Sequence, residues 1–277
     1  MHLHETATRT ALIAARSRVV APPPPTSTAD AGAVNPTEDQ IVVIYVMISM
    51  AVVIFGLWNV PIVRKLLNPL KLFTIGLHEL FHIFLTILSG GRILKVTIDP
   101  QLGGATIVEN GIPGLILPAG YLGSTLMGAC FVLAGFDTLV AKIMSFVLAV
   151  GLIAPLSLVR DKLTILLTLI YEALLIGFWF IDHASALRWY CLLVGIMNIF
   201  YVVSTGDVAD DRFFHKANDS DATQFSLLWP SLSAHVWALL WIFFAMGTLV
   251  AFIMIGLIPL KMNSEQMRVE ADKFLPT

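Results

Sequence analysis

The stretch LKLFTIGLHELFHIFLTIL, from Leu70 to Leu88, decides the class of fold. Its residues are almost all apolar, and a helix of about 20 such residues can cross the hydrocarbon core of a bilayer. Three ionisable residues, His78, Glu79 and His82, nevertheless lie close together near its middle. An ionisable side chain at mid-membrane costs roughly 2.5–3.5 kcal/mol on insertion scales, so such residues usually serve a function. We therefore interpret the stretch as a membrane-spanning helix that carries a chemical site.

The spacing of these three residues is typical of a zinc site. Positions i and i+4 of a helix share a face, so His78 and His82 can present two imidazoles to one metal ion, with Glu79 beside them. Such sites hold Zn²⁺ and a water molecule, whose proton passes to the adjacent carboxylate. We expect Zn²⁺ as the cofactor, the two histidines as metal ligands and Glu79 as the catalytic general base. The alternative is that the three side chains form hydrogen bonds to neighbouring helices.

The composition of the whole chain indicates a membrane protein. Hydrophobic residues make up 57% and charged residues 13% of the 277 residues, against roughly 45–50% and about 25% in soluble domains. The net charge of −2 provides no basic surface for nucleic acid, so the expected partners are the lipid bilayer and a membrane-protein substrate helix. The sequence assigns neither an oligomeric state nor a particular membrane. Seven apolar runs predict an all-α bundle of about six to seven transmembrane helices: Ile41 to Val60, Leu70 to Leu88, Ile112 to Ala134, Leu139 to Val159, Leu163 to Ile181, Leu187 to Val203 and Val236 to Leu260.

Three regions depart from the helical pattern. Residues 1–40, rich in proline and alanine, predict a disordered tail, residues 41–260 the transmembrane domain, and residues 261–277 a short polar tail. Two β-prone runs after the zinc motif, separated by a Pro/Gly turn, predict a β-hairpin over residues 90–108. Gly120, Ser124 and Gly128 recur at four-residue spacing, which favours close packing of two helices.

A zinc site of this type needs a third protein ligand. Asp207 is the prediction, because it is the acid closest to the end of the sixth apolar run, with Asp210 and Asp211 as alternatives. Asp221, followed by Gln224 three residues on, is interpreted instead as the cap of a short helix, since the pair resembles a capping box. Simple alternation of seven helices would put Asp207 across the bilayer from the start of the zinc-motif helix, unless the metal lies near mid-depth or one run is re-entrant.

The order of these motifs resembles the site-2 protease family of intramembrane zinc peptidases, in its peptidase M50B-like branch. The likeness covers roughly Leu70 to Ser226 and rests on six motifs: His78-Glu79-Leu80-Phe81-His82, Gly90-Gly91, Asp99-Pro100 to Gly103-Gly104, Pro118-Ala119-Gly120-Tyr121-Leu122-Gly123-Ser124, Asp207-Val208-Ala209-Asp210-Asp211 and Ser220-Asp221-Ala222.

The resemblance implies hydrolysis of peptide bonds in or near transmembrane segments, a hairpin that guides an unwound substrate, and a later aspartate that completes the metal site. A non-catalytic adaptor or chaperone with the same fold is the first alternative. A transporter is the second, although no internal repeat or pair of broken helices is visible in the sequence.

Overall fold

The computed structural model describes residues 35–57, 60–99, 103–201 and 220–276. In chain order its helices and strands are α1 Glu38–Leu57, α2 Pro61–Leu66, α3 Asn68–Leu88, β1 Arg92–Asp99, β2 Gly103–Glu109, α4 Pro113–Ala134, α5 Thr138–Ile153, α6 Lys162–Phe180, α7 Ser185–Ile199, α8 Asp221–Leu228, α9 Ala234–Leu257 and α10 Ser264–Phe274. Short 3₁₀ turns, Ala154–Ser157 and Asp182–Ala184, follow α5 and α6.

In the described part of the chain each of the seven apolar runs contains a helix, which confirms the predicted all-α membrane fold. Within the described part of the chain, five helical stretches are long and apolar enough to cross a membrane: Asn68–Leu88, Pro113–Ala134, Thr138–Ser157, Lys162–Phe180 and Ala234–Leu257. Helix α7 has only 15 residues, fewer than the roughly 20 that a straight crossing needs. The protein is therefore an integral, multi-pass membrane protein.

Local sequence explains where the helices begin. Proline occupies the first turn of α2, α3 and α4, a position where its missing N–H costs no hydrogen bond. Asp137 and Asp161 cap α5 and α6 by accepting hydrogen bonds from the backbone N–H groups of Val140 and Thr164, respectively. These prolines and capping aspartates therefore determine the residues at which the helices begin.

Small residues bring α4 and α7 into contact at the centre of the bundle. A Cβ added at Gly195 would lie 2.7 Å from the backbone nitrogen of Val132, and one added at Gly128 would lie 2.8 Å from Cβ of Asn198. Only glycine permits backbones to approach so closely in lipid, where van der Waals contact drives association. The predicted packing role of Gly128 is confirmed.

The predicted hairpin is present and lies against α3. Strands β1 and β2 pair antiparallel, with Val96 opposite Thr106 and Thr97 opposite Ala105. Successive residues of a strand point to opposite faces, so Thr106 and Thr97 lie on different faces of the hairpin. One face of the hairpin therefore packs against α3, and the other face points away from it.

The C-terminal region, predicted as a short polar tail over residues 261–277, contains a helix. Helix α10 begins at a capping box formed by Asn263 and Gln266, and Met267 and Ala271 are buried. The fully buried ammonium of Lys142, in α5, donates hydrogen bonds to two backbone carbonyls, those of Leu275 at 2.6 Å and Ala271 at 3.2 Å. Capping and this anchor make the segment an ordered helix. The predicted tail over residues 1–40 lies mostly outside the described residues, and α1 begins within its last positions, at Glu38.

Candidate metal centre

Helix α3 presents both histidines on one buried face. Nε2 of His78 and Nε2 of His82 are 3.0 Å apart, as expected for side chains one helical turn from each other. Glu79 lies beside them, and one ligand-type atom from each of the three residues falls within 4.8 Å of the other two. All three side chains are buried, with 3–5% of their surface exposed. The predicted grouping of imidazoles and carboxylate is therefore present in the folded chain.

A carboxylate from a distant part of the chain reaches the same point. Oδ2 of Asp221 lies 2.9 Å from Nε2 of His78 and 3.1 Å from Nε2 of His82. Burial disfavours the charged carboxylate, but its electrostatic interactions with His82 and His78 outweigh this effect and hold the pKa of Asp221 well below its ordinary value. Asp221 is thus drawn to the histidines as an anion.

The predicted capping role of Asp221 is wrong. Ser220 is the N-cap of α8, because its hydroxyl accepts a hydrogen bond from the backbone N–H of Thr223. Asp221 is therefore the first residue of the helix, and its side chain is free to point away from the helix end. Serine one position earlier supplies the same capping chemistry as aspartate, so the capping pattern did not distinguish the two residues.

Aromatic packing holds α8 in this position. Ala222 and Phe225 of α8 join Tyr121 of α4 and Trp241 of α9 in a buried cluster. The ring of Tyr121 also lies edge-on to the imidazole of His78, with 4.6 Å between centroids. The short helix is therefore packed onto two membrane helices, and its first residue meets α3.

A backbone carbonyl determines which ring nitrogen of His82 carries the proton and which has the lone pair. Nδ1 of His82 lies 2.7 Å from the carbonyl oxygen of Ile116. A carbonyl can only accept, so Nδ1 carries the proton and, in the neutral ring, Nε2 has a lone pair. That lone pair faces Oδ2 of Asp221, which is also an acceptor.

Three electron-rich atoms thus converge, and the donor set fits a bound cation. Nε2 of His78 can offer one proton to only one of its two neighbours, whereas a metal ion would satisfy all three atoms at once. Two ligands bound at about 2.0–2.1 Å in a tetrahedral site lie roughly 3.3 Å apart, close to the 2.9–3.1 Å separations between these atoms. Two histidines and a carboxylate are also a known ligand set for catalytic zinc.

Helix α4 approaches the histidines more closely than any side chain would permit. A Cβ added at Gly120 would lie 2.5 Å from Nε2 of both His78 and His82. The sequence indicated only a packing role for Gly120, by its four-residue spacing from Ser124 and Gly128. In the structure Gly120 instead allows the backbone of α4 to lie against the two imidazoles, where a side chain would overlap them.

The hairpin contacts the third member of the motif. The hydroxyl of Thr106, in β2, donates a hydrogen bond of 2.6 Å to Oε2 of Glu79. Gly104 lies two residues earlier on the same face of the strand, and a Cβ there would overlap Oε1 of Glu79. The sequence predicted the hairpin but contained no signal for these contacts.

The outer face of the hairpin borders a cavity of about 640 Å³. Thr97 and Ala105 line it on the hairpin side, and the loop between α5 and α6 lines it on the other, at Arg160 and Asp161. Neither histidine contributes to its lining, whereas Gly104 does. The cavity is therefore separated from the convergent side chains by strand β2.

The predicted third ligand lies outside the described residues. Asp207 and its alternatives Asp210 and Asp211 all fall in the segment 202–219, so that assignment stays a prediction. Among the described acids, Asp221 is the one whose carboxylate contacts both imidazoles. Its position in Ser220-Asp221-Ala222, one of the motifs that carry the family resemblance, was the available signal.

Comparison with known proteins identifies a family for the chain. A family model described as Peptidase M50B-like matches residues 47–252, which include the zinc motif, the hairpin and Asp221. No curated protein and no solved structure matches the chain. Since the match spans well over half of the sequence, the chain belongs to the Peptidase M50B-like family, a branch of the site-2 proteases.

Proposed function

We propose that the protein is an intramembrane zinc endopeptidase that hydrolyses a peptide bond in or near a transmembrane segment of another membrane protein. The observation that carries this proposal is the convergence of two imidazoles and one carboxylate oxygen within 3.1 Å of each other, beside the carboxylate of Glu79. His78, His82 and Asp221 hold Zn²⁺ in this proposal. Asp207 is the competing third ligand.

When bound, Zn²⁺ supplies a Lewis acid that lowers the pKa of a water molecule toward about 7 and polarises the substrate carbonyl. Glu79 takes one proton from this water. With this proton on Glu79, the water oxygen would form a bond to the carbonyl carbon of the peptide, and the carbon–nitrogen bond would break. Glu79 returns its proton to the leaving amine, so the products are a carboxylic acid and an amine.

The membrane location supports a membrane-embedded substrate. The histidines lie 10 and 14 residues into α3, which is about 15–21 Å along a helix that rises 1.5 Å per residue. A peptide bond must reach this depth in an unwound form, since helical backbone carbonyls are hydrogen-bonded and shielded. Strand β2 of the hairpin, which contacts Glu79, is the element that would receive such a segment.

Metal analysis tests this proposal most directly. The full chain, purified in mild detergent without chelators, is expected to contain about one zinc per chain by elemental mass spectrometry. A chain in which both histidines are replaced by alanine should contain none and serves as the control. Zinc near zero in the unmodified chain, unchanged after incubation with added Zn²⁺, would favour a non-catalytic adaptor that retains the fold.

A further inference from the structure

Strand β2 of the hairpin contacts both carboxylate oxygens of buried Glu79. Oε2 of Glu79 accepts the 2.6 Å hydrogen bond from Thr106, a length typical of a hydroxyl bound to an ionised carboxylate. Oε1 lies against the backbone of Gly104, where a side chain would leave it no room. Glu79 itself is only 3% exposed. Strand β2 therefore determines the plane in which this carboxylate lies.

We propose that Thr106 is a positioning residue, whose hydroxyl orients the carboxylate of Glu79 for taking the proton from water. This inference rests on the proposed peptidase function. Among the described residues, Thr106 is the one that donates a hydrogen bond to Glu79. A carboxylate that is hydrogen-bonded at one oxygen and packed against backbone at the other rotates less freely, so the direction in which it accepts a proton is restricted.

Backbone pairing within the hairpin positions the hydroxyl of Thr106. Thr106 lies opposite Val96 in the antiparallel ladder. Hydrogen bonds between the two strands therefore set the position of Thr106 along the hairpin. Ile98 of the neighbouring strand reaches Gly76 of α3, with Cδ1 3.9 Å from the position of an added Cβ. The hairpin is thus seated on the helix that carries Glu79. The position of the hairpin on α3 and the orientation of Glu79 are therefore coupled through the hydroxyl of Thr106.

The alternative is that Thr106 only stabilises the strand. Valine has the same branched shape and an equal or better preference for strands, so Thr106→Val preserves the packing and removes only the hydroxyl. Thr106→Ser preserves the hydroxyl and removes the methyl group. Thr97→Val makes the same chemical change at an exposed position on the opposite face of the hairpin and is the matched control.

Kinetics of these variants test the inference. A library of quenched fluorescent apolar peptides in detergent micelles identifies a cleaved peptide, and that peptide is used throughout. Thr106→Val is expected to lower kcat about 10- to 100-fold with KM within about twofold, since misplaced catalytic groups cost rates of this size. Thr106→Ser should recover most of kcat, and Thr97→Val should match the unmodified chain. Zinc content is expected to be equal in all of them.

A second readout does not depend on turnover. The infrared difference spectrum between the unmodified chain and Glu79→Gln isolates the carboxylate bands of Glu79. These bands should shift in Thr106→Val, which has lost the hydrogen bond, and keep their position in Thr106→Ser. An unchanged kcat in Thr106→Val overturns the inference whether or not the bands shift, and so does a failure of Thr106→Ser to recover activity.

The same measurements separate this inference from the proposed function. If the unmodified chain holds zinc and cleaves the peptide while Glu79→Gln does not, the peptidase assignment stands and only the variants of Thr106 decide the positioning role. If the unmodified chain binds no zinc and cleaves no peptide of the library, the proposed function fails, and the positioning role fails with it.

Discussion

Oδ2 of Asp221 lies 2.9 Å from Nε2 of His78, although 143 positions separate the two residues in the chain. The contact exists because α8 packs through Phe225 onto Trp241 of α9 and Tyr121 of α4. A short helix, rather than a membrane-spanning one, thus delivers the third electron-rich atom. Its identity as a metal ligand is open to direct test.

Replacement of Asp221 by asparagine is expected to lower bound zinc from about one per chain to below about one tenth. Asparagine keeps the size of the side chain but removes the negative charge that favours a divalent cation. Asp207→Asn is the matched comparison, because it makes the same change at the ligand that the sequence predicted. Elemental analysis of both variants after identical purification gives the answer. Zinc loss in Asp207→Asn alone would assign the site to Asp207 instead.

Glu79→Gln should separate metal binding from turnover. Glutamine can still accept a hydrogen bond from Thr106 through its amide oxygen but cannot take a proton from water, so zinc should remain near one per chain while peptide cleavage falls at least about 100-fold. Zinc content and cleavage are measured on the same preparation. Cleavage at the unmodified rate would show that Glu79 is not the general base.

Gly120→Ala is expected to disturb the metal centre through one methyl group. That group would lie 2.5 Å from both imidazole nitrogens, so the histidines or α4 must move, at a cost of about 1–3 kcal/mol in stability. Bound zinc should weaken at least about tenfold in a chelator competition. Gly114→Ala, on the same helix, meets nothing within 4 Å and should leave zinc unchanged. Equal zinc affinity in the two variants would contradict the close approach of α4.

Lys142→Met is expected to release the C-terminal helix without affecting the metal centre. The change leaves the carbonyls of Leu275 and Ala271 without this donor, and the unsatisfied carbonyl of buried Ala271 costs about 1–3 kcal/mol. Limited proteolysis followed by mass spectrometry should show faster cleavage within α10, at an unchanged zinc content. Lys162→Met changes an exposed lysine at the start of α6 and should cleave at the original rate. Equal protection in both variants would mean that Lys142 does not anchor α10.

The sequence by itself determined the elements of this protein that depend on neighbouring residues. Long apolar runs specify helices because lipid offers no partner for the backbone, the Pro/Gly turn separates two β-prone runs, and four-residue spacing places His78 and His82 on one face. These features were confirmed because each arises within one helix or one hairpin. The same local reasoning assigned Asp221 to a cap, although Ser220 fills that role.

Only the tertiary structure decided which distant groups meet the zinc motif. Asp221 contacts His78 across 143 positions of the chain, and Thr106 contacts Glu79 across 27 positions. Gly120 lies against both histidines. No periodicity within a helix or strand encodes such a contact, because it depends on how α4, α8 and the hairpin pack around α3. The sequence contains the chemistry of the base and two imidazoles, and packing selects the carboxylate, the hydroxyl and the glycine that contact them.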